Sequence, residues 1–221
     1  MKKIVFVAFI SAIMLSNCSE DNNKENVVSL SQNEASTSKL LKEKVTLIPL
    51  TQNEISDLKF LREEEKLARD VYLYSYDKYQ MNIFKSISKS EQKHMDSVLN
   101  LLDKYNIPDP ASTEVGVFVN QDLQLLYEKL ITQSDISLIE ALKVGATIED
   151  LDINDIGNYI ANTLKPDLLS VYESLLCGSK NHLRSFTSQL TSLGVTYVPQ
   201  FISLEEYNVI LSSSNDGCGN N

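Results

Sequence analysis

Apolar residues recur at spacings of three and four between about residues 52 and 211, the period of helices that bury one face. The first stretch, about 52–79, places Ile55, Leu58, Leu61, Glu65, Ala68, Tyr72 and Tyr76 on one stripe, widened by Leu67 and Val71. The second, about 83–105 with Asn82 as its N-cap, carries Phe84, Ile87, Glu91, His94, Val98, Leu101 and Tyr105. Residues 106–119 contain Pro108, Pro110 and Gly116, break the period, and read as a crossover connection rather than a hairpin turn. Asn120 caps a short helix through LQLLYEKLI. A third long helix begins near Ser137, with Leu142, Gly145, Glu149, Asp152 and Ile156 in its stripe. A fourth starts near Pro166, a favoured first-turn position for proline, and carries Leu168, Tyr172, Leu175, Ser179, His182, Phe186 and Leu190 before Gly194 closes it. Ser203 and Glu206 form a capping-box pattern for a last short helix ending near Leu211. Only short apolar runs such as VGVFV suggest strand. The expected fold is all-α: a four-helix bundle with a long crossover between its second and third helices, plus short extra helices.

The stripes are interrupted by ionisable residues, and each of the four long helices has at least one: Glu65; Glu91 with His94; Glu149 with Asp152; and His182. Both histidines of the chain are in this set. Asp, Glu and His are rarely buried without a partner, because an unpaired buried charge is costly. Four carboxylates and two imidazoles meeting in one core would repel and desolvate one another, and divalent cations remove that conflict. Oxygen and imidazole donors suit iron, manganese or zinc. Alternatives remain at single positions. Glu63 and Glu64 adjoin Glu65 in REEEKLARD, and helix phase decides which points inward. Ser88 and Glu91 also read as a capping box, which would make Glu91 structural. Either histidine alone fits a hydrogen-bonded core residue. Acids are dense in IEDLDINDI, where one of Glu149 and Asp152 can face water.

The ends change the picture of where the chain works. Lys2 and Lys3 precede an apolar run at 4–15 that is too short to span a bilayer. It leads into Leu15-Ser16-Asn17-Cys18, which resembles the bacterial lipobox, with Asn17 a less usual residue before the cysteine. The expectation is a lipoprotein signal peptide over 1–17, lipidation of Cys18, and an extracytoplasmic protein anchored to the bacterial cell envelope, periplasmic or surface-facing. Several acyl chains would hold it firmly, at roughly 0.8 kcal/mol per buried methylene. Residues 18–44, rich in Ser, Asn and Glu, cannot bury enough apolar surface to order themselves and read as a flexible tether. The domain itself spans about 45–212, followed by a disordered tail at 213–221. A net charge of −10 argues against nucleic acid as a partner. Cys177 and Cys218 have the chance to pair outside the cytoplasm, but the Ser/Asn/Gly tail around Cys218 weighs against a disulfide. The chain has no C-x-x-C, hence no rubredoxin-type iron centre.

The same residues carry a family resemblance. EKLARDVY (65–72) resembles the Glu-x-x-Ala-Arg-x-x-Tyr motif in the first helix of rubrerythrin-like proteins of the ferritin-like superfamily. SEQKH resembles their second-helix Glu-x-x-His, and Glu149 with Asp152 looks like the third-helix acid pair. REEEKLARDVY, SEQKHM, IEDLDI and GSKNHLRSF together look closest to domain of unknown function 2202. The resemblance implies a ferritin-like bundle with a di-iron centre. Its ligands would be Glu65, Glu91, His94, Glu149 and His182, with Asp152 a sixth candidate. Arg184, Asp70 and Tyr72 are candidates to orient them. The departure is Ser179, where the fourth helix normally carries a glutamate that often bridges the metals. Either Asp152 compensates, or one metal binds well, or the centre is degenerate. The implied activity is peroxide reduction or ferrous iron oxidation, with an external electron donor. A non-catalytic lipoprotein that binds a partner or sequesters metal is the alternative, and a homodimer is compatible with either.

Overall fold

The computed structural model describes residues 48–214 and residues 217 and 218. The signal segment, Cys18, the whole tether and the first residues of the expected domain lie outside the described residues, as does part of the tail. The architecture is all-α, with the four long helices the stripes predict and two short ones: α1 (Gln52–Tyr79), α2 (Asn82–Lys104), α3 (Gln121–Ser134), α4 (Leu138–Asn162), α5 (Pro166–Ser192) and α6 (Leu204–Ser212). No strand occurs among the described residues. No described helix is long and apolar enough to cross a membrane.

The helix ends are set locally. Thr51 and Glu54 close a reciprocal capping box on α1. Asn120 accepts from the N–H groups of Asp122 and Leu123 at the start of α3, and Ser137 accepts from Glu140 at the start of α4. Pro166 opens α5, and Gly194, at φ 73°, follows its C-cap in the left-handed conformation that glycine adopts without strain. Asn82 is not the cap of α2. It is the first helical residue, and Met81 precedes it without a side-chain cap. Ser203 accepts from the N–H of Glu206 at α6.

α1, α2, α5 and α4 form a ring of packed pairs around the core. Thr163, just after α4, donates to Glu54 at the start of α1, and Tyr79 at the end of α1 donates to the carbonyl of Ser134, just before α4. α1 and α4 are therefore antiparallel. Lys104 at the end of α2 meets Asp167 at the start of α5, 2.7 Å apart, so that pair is antiparallel too. The link from α2 to α4 must then travel the length of the bundle, and it does so carrying α3, which packs on α1 and α4. This is the expected long crossover.

The apolar core is in two parts. One contains Val71, Phe84, Leu142, Phe186 and Leu190; the other contains Leu58, Leu61, Val98, Ile156 and Leu168. Along α1, α2 and α5 the ionisable stripe residues fall between these two sets, and on α4 Glu149 and Asp152 lie between Ile148 and Ile156, with Ile153 of the first set beside them, so a polar layer runs between the apolar halves.

Candidate metal centre

Glu65 on α1, Glu91 and His94 on α2, Glu149 and Asp152 on α4 and His182 on α5 all enter that layer. The four carboxylates are at most 1% exposed and each histidine 8%. α2 runs unbroken through Ser88, whose hydroxyl donates back to the carbonyl of Lys85, so Glu91 is mid-helix and not part of a cap. Its carboxylate lies between the two histidines: Oε2 is 2.7 Å from His94 Nδ1, and Oε1 is 2.8 Å from His182 Nδ1. Glu65 Oε2 lies 3.2 Å from His94 Nδ1, and Glu149 Oε2 lies 3.4 Å from His182 Nδ1. Two sets result, Glu65–Glu91–His94 and Glu91–Glu149–His182, each with one donor atom per residue inside a 4.8 Å span. Glu91 belongs to both. The imidazole rings are stacked with centroids 5.6 Å apart.

These atoms are close without being satisfied. Both oxygens of Glu91, Oε2 of Glu149, Oε1 of Glu65, both oxygens of Asp152 and Nδ1 of His182 lack a hydrogen bond of acceptable direction. Native cores leave few such groups unpaired. The lone pairs of Glu65, Glu91, Glu149 and His182 converge on two shared points, which fits cations between them, whereas Asp152 belongs to neither set. Charge fits as well: four carboxylates balance two divalent ions.

Burial raises the carboxyl pKa values, to about 7 for Glu65 and well above the ordinary range for Asp152, where the charges of Glu64, Glu65 and Glu149 add to it. Burial would raise Glu91 too, but the neighbouring charges of His182 and His94 outweigh it and hold it below its ordinary value. Burial opposes charge on the histidines, yet the acids prevail. Glu91 and Glu149 push His182 to about 10, and Glu65 and Glu91 push His94 well up. Without a metal, the surrounding acids favour the protonated imidazoles.

Of the residues expected to orient the ligands, Tyr72 reaches one of the candidate donors. Its hydroxyl donates to Glu149 Oε1 at 2.7 Å. Asp70 does not. Asp70 pairs with Lys66 and Arg69 and accepts from the N–H of Gly116. Arg184 donates to the carbonyl of Ile210 and the hydroxyl of Ser213. Ser179 is buried in the layer, but its hydroxyl donates to the carbonyl of Leu175 and reaches no carboxylate. Gly178, beside it, gives His94 its place: a Cβ there would lie 2.6 Å from His94 Nε2.

Glu63 and Glu64 are buried, not surface charges. Glu63 turns away from the centre and accepts from the N–H groups of Val119 and Asn120. Glu64, as well as Glu65, points inward, and with Asp152 it lines a cavity between α1, α3 and α4. Its spacing of three from Leu61 and four from Ala68 was an available signal. Asp150 likewise turns away and accepts from the N–H groups of Gln200, Phe201 and Ile202 and the hydroxyl of Tyr197.

The histidine edges face a cleft of about 310 Å³ between α2 and α5, lined also by Ser90, Lys93, Ser97 and Asn181. Cys218 forms part of its rim and is disulfide-bonded to Cys177 on α5, which corrects the expectation that the tail position would leave the two unpaired.

The family model for an uncharacterised protein domain, DUF2202, matches residues 54–214. An uncharacterised protein from Methanocaldococcus jannaschii, MJ0754, is 54% identical over 154 residues, which cover 69% of this chain and 83% of that protein. The crystal structure of the hypothetical protein MJ0754 superposes with a TM-score of 0.76 at 51% identity, covering 78% of this chain and 99% of that one.

Proposed function

The chain belongs to the uncharacterised DUF2202 family, and we propose that it is a ferritin-like protein holding two metal ions, most naturally iron, in the polar layer of its bundle. Glu65, Glu91 and His94 would hold one ion, and Glu91, Glu149 and His182 the other. Asp152 completes the charge balance. The observation that carries this reading is the division of Glu91: its two oxygens lie 2.7 and 2.8 Å from Nδ1 of two different histidines, the arrangement of a carboxylate shared between ions. Manganese or zinc suits the same donors.

Two redox-active ions sharing a carboxylate supply two electrons at one place, the number that reduction of a peroxide to water consumes. The residues of this chain provide the rest. Three protein donors per ion leave positions for small exchangeable ligands. Tyr72 fixes Glu149, the apolar halves above and below exclude bulk water, and the cleft beside the histidines admits only small polar molecules. Peroxide reduction with an external electron donor, or ferrous iron oxidation, is the activity this supports. A non-catalytic lipoprotein that sequesters metal or binds a partner is favoured by one observation, the serine at 179 in place of a second bridging acid.

The lipobox-like Leu15-Ser16-Asn17-Cys18 supports attachment to the cell envelope, and so does the Cys177–Cys218 disulfide, since disulfides persist in oxidising compartments. Cys18→Ala is then expected to abolish lipid labelling and release the protein from membranes; unchanged labelling would remove the anchor from this reading.

The deciding experiment is metal content and ultraviolet-visible spectrum of the aerobically purified protein, followed by peroxide consumption with a reductant. Two iron ions per chain and metal-dependent turnover support the enzyme. A bound but redox-silent metal supports the sequestering reading, and absence of bound metal after reconstitution overturns both.

A further inference from the structure

Away from the histidines, two more carboxyl groups face an enclosed space. Glu64 is 2% exposed and Asp152 1%, and none of their four oxygens has a hydrogen-bond partner. Both line a cavity of about 30 Å³ between α1, α3 and α4, whose other walls include Leu67, Leu123, Leu130 and Phe201. That volume accommodates a water molecule or a largely dehydrated ion. Two acids opening into an apolar chamber without a donor are costly unless something positive lies with them.

Further acids act on the two that line the chamber. Glu64 feels most strongly the charges of Asp155 and Glu65, and Asp152 those of Glu64, Glu65, Glu149 and Glu91. Asp155 stands one turn beyond Asp152 on α4 and lines a surface pocket of about 670 Å³ together with Asp57 and Glu63. Acids therefore follow one another from the surface at Asp155, through Glu64 and Asp152, to Glu65 and Glu149 of the centre. The opposite approach, through the α2–α5 cleft, offers hydroxyls, the Lys93 ammonium and the two histidines, with no carboxylate in its lining.

We propose that Glu64, Asp152 and Asp155 form an accessory cation site through which divalent metal ions enter the centre from the α1–α4 face. This rests on the reading that the centre holds metal. Glu64 is turned toward this chamber and Asp155, while its neighbour Glu63 finds two backbone donors.

The test is the rate at which the metal-free full-length protein removes zinc from a chromophoric chelator, with the amount finally bound measured alongside. Glu64→Gln and Asp155→Asn are each expected to slow uptake about tenfold or more, the lower range of electrostatic steering, with the wild-type amount bound at long times. Glu173→Gln removes the same charge from an exposed position on α5 and is expected to keep the wild-type rate. Circular dichroism checks that each variant folds, and Asp155, being partly exposed, keeps the test informative if Glu64→Gln does not. Wild-type rates in both variants would overturn the proposal while leaving the metal centre standing. So would a Glu64→Gln protein whose final content is reduced, since Glu64 would then be a ligand of the centre itself. A wild-type protein that takes up no zinc overturns the accessory site and the metal centre together.

Discussion

Glu91 sits where the whole site can be cut with one substitution. Because its two oxygens serve two histidines, Glu91→Ala is expected to remove both ions, whereas Glu65→Ala or Glu149→Ala removes donors from one set only and is expected to leave about one ion, as read by metal analysis of purified protein. Glu63→Gln and Asp150→Asn, adjacent in sequence to the proposed ligands, are expected to keep full metal content and instead lose about 1–3 kcal/mol of stability, since each accepts from backbone N–H groups that would be left short of a charged partner. Equal metal loss in the neighbours and the ligands would mean that the layer is a folding unit and not a site. The histidines give a separate readout. Their pKa values are raised in the metal-free protein, His182 to about 10, so at neutral pH both are protonated and a cation must displace those protons. Metal affinity should rise with pH, and binding at pH 7 should release protons from the histidines and from the carboxyls that burial raises, Glu65 among them. Calorimetry in buffers of different ionisation enthalpy measures this; binding heats independent of buffer would contradict the assignment of Nδ1 atoms as donors.

At the scale of elements, α1 shows what periodicity reveals and what it hides. The spacing of apolar residues located all four bundle helices, the short helices and the crossover, and it placed Glu65, Glu91, His94, Glu149, Asp152 and His182 in one core because polar residues inside an apolar stripe are conspicuous. The run REEEKLARD was less legible. Arg62, Glu63, Glu64, Glu65, Lys66 and Asp70 are all buried, though a helix with that many charges reads as solvent-facing. Their partners are the reason. Arg62 meets Asp109, Lys66 reaches the carbonyl of Glu114, and Asp70 accepts from the N–H of Gly116, so this face of α1 is covered by the crossover and not by water. Backbone groups of a loop leave no periodic trace in sequence, which is why Asp70 was expected near the metals and is found holding the crossover. Lys66 and Asp70 have fully buried side chains 2.6 Å apart. Removing one partner leaves the other charge stranded, so Lys66→Met is expected to cost about 3–5 kcal/mol in urea unfolding. A loss below 1 kcal/mol would show that water reaches this face in solution.

For the molecule as a whole, the polar layer divides the apolar core, and a bundle divided in this way benefits from fastening elsewhere. The Cys177–Cys218 bond is one fastening, joining the middle of α5 to the tail across a separation of 41 residues. It was illegible in sequence because a Ser/Asn/Gly tail carries no signal of where it folds back. Arg184 ties the same region through the Ile210 carbonyl and Ser213, bringing the chain round toward the cleft. Closing a loop of that length restricts the unfolded chain by about 4 kcal/mol in the loop-entropy model. Changing both cysteines to serine avoids leaving a reactive thiol at either position. The double variant is expected to lose about 2–4 kcal/mol in urea unfolding, and to retain its metal, because neither sulfur belongs to the donor set. Dithiothreitol should bring the wild-type protein to the same midpoint and leave the variant where it is. A midpoint that neither the variant nor the reductant moves would mean that the tail is not bonded to α5 in solution, and that the rim of the histidine cleft is open.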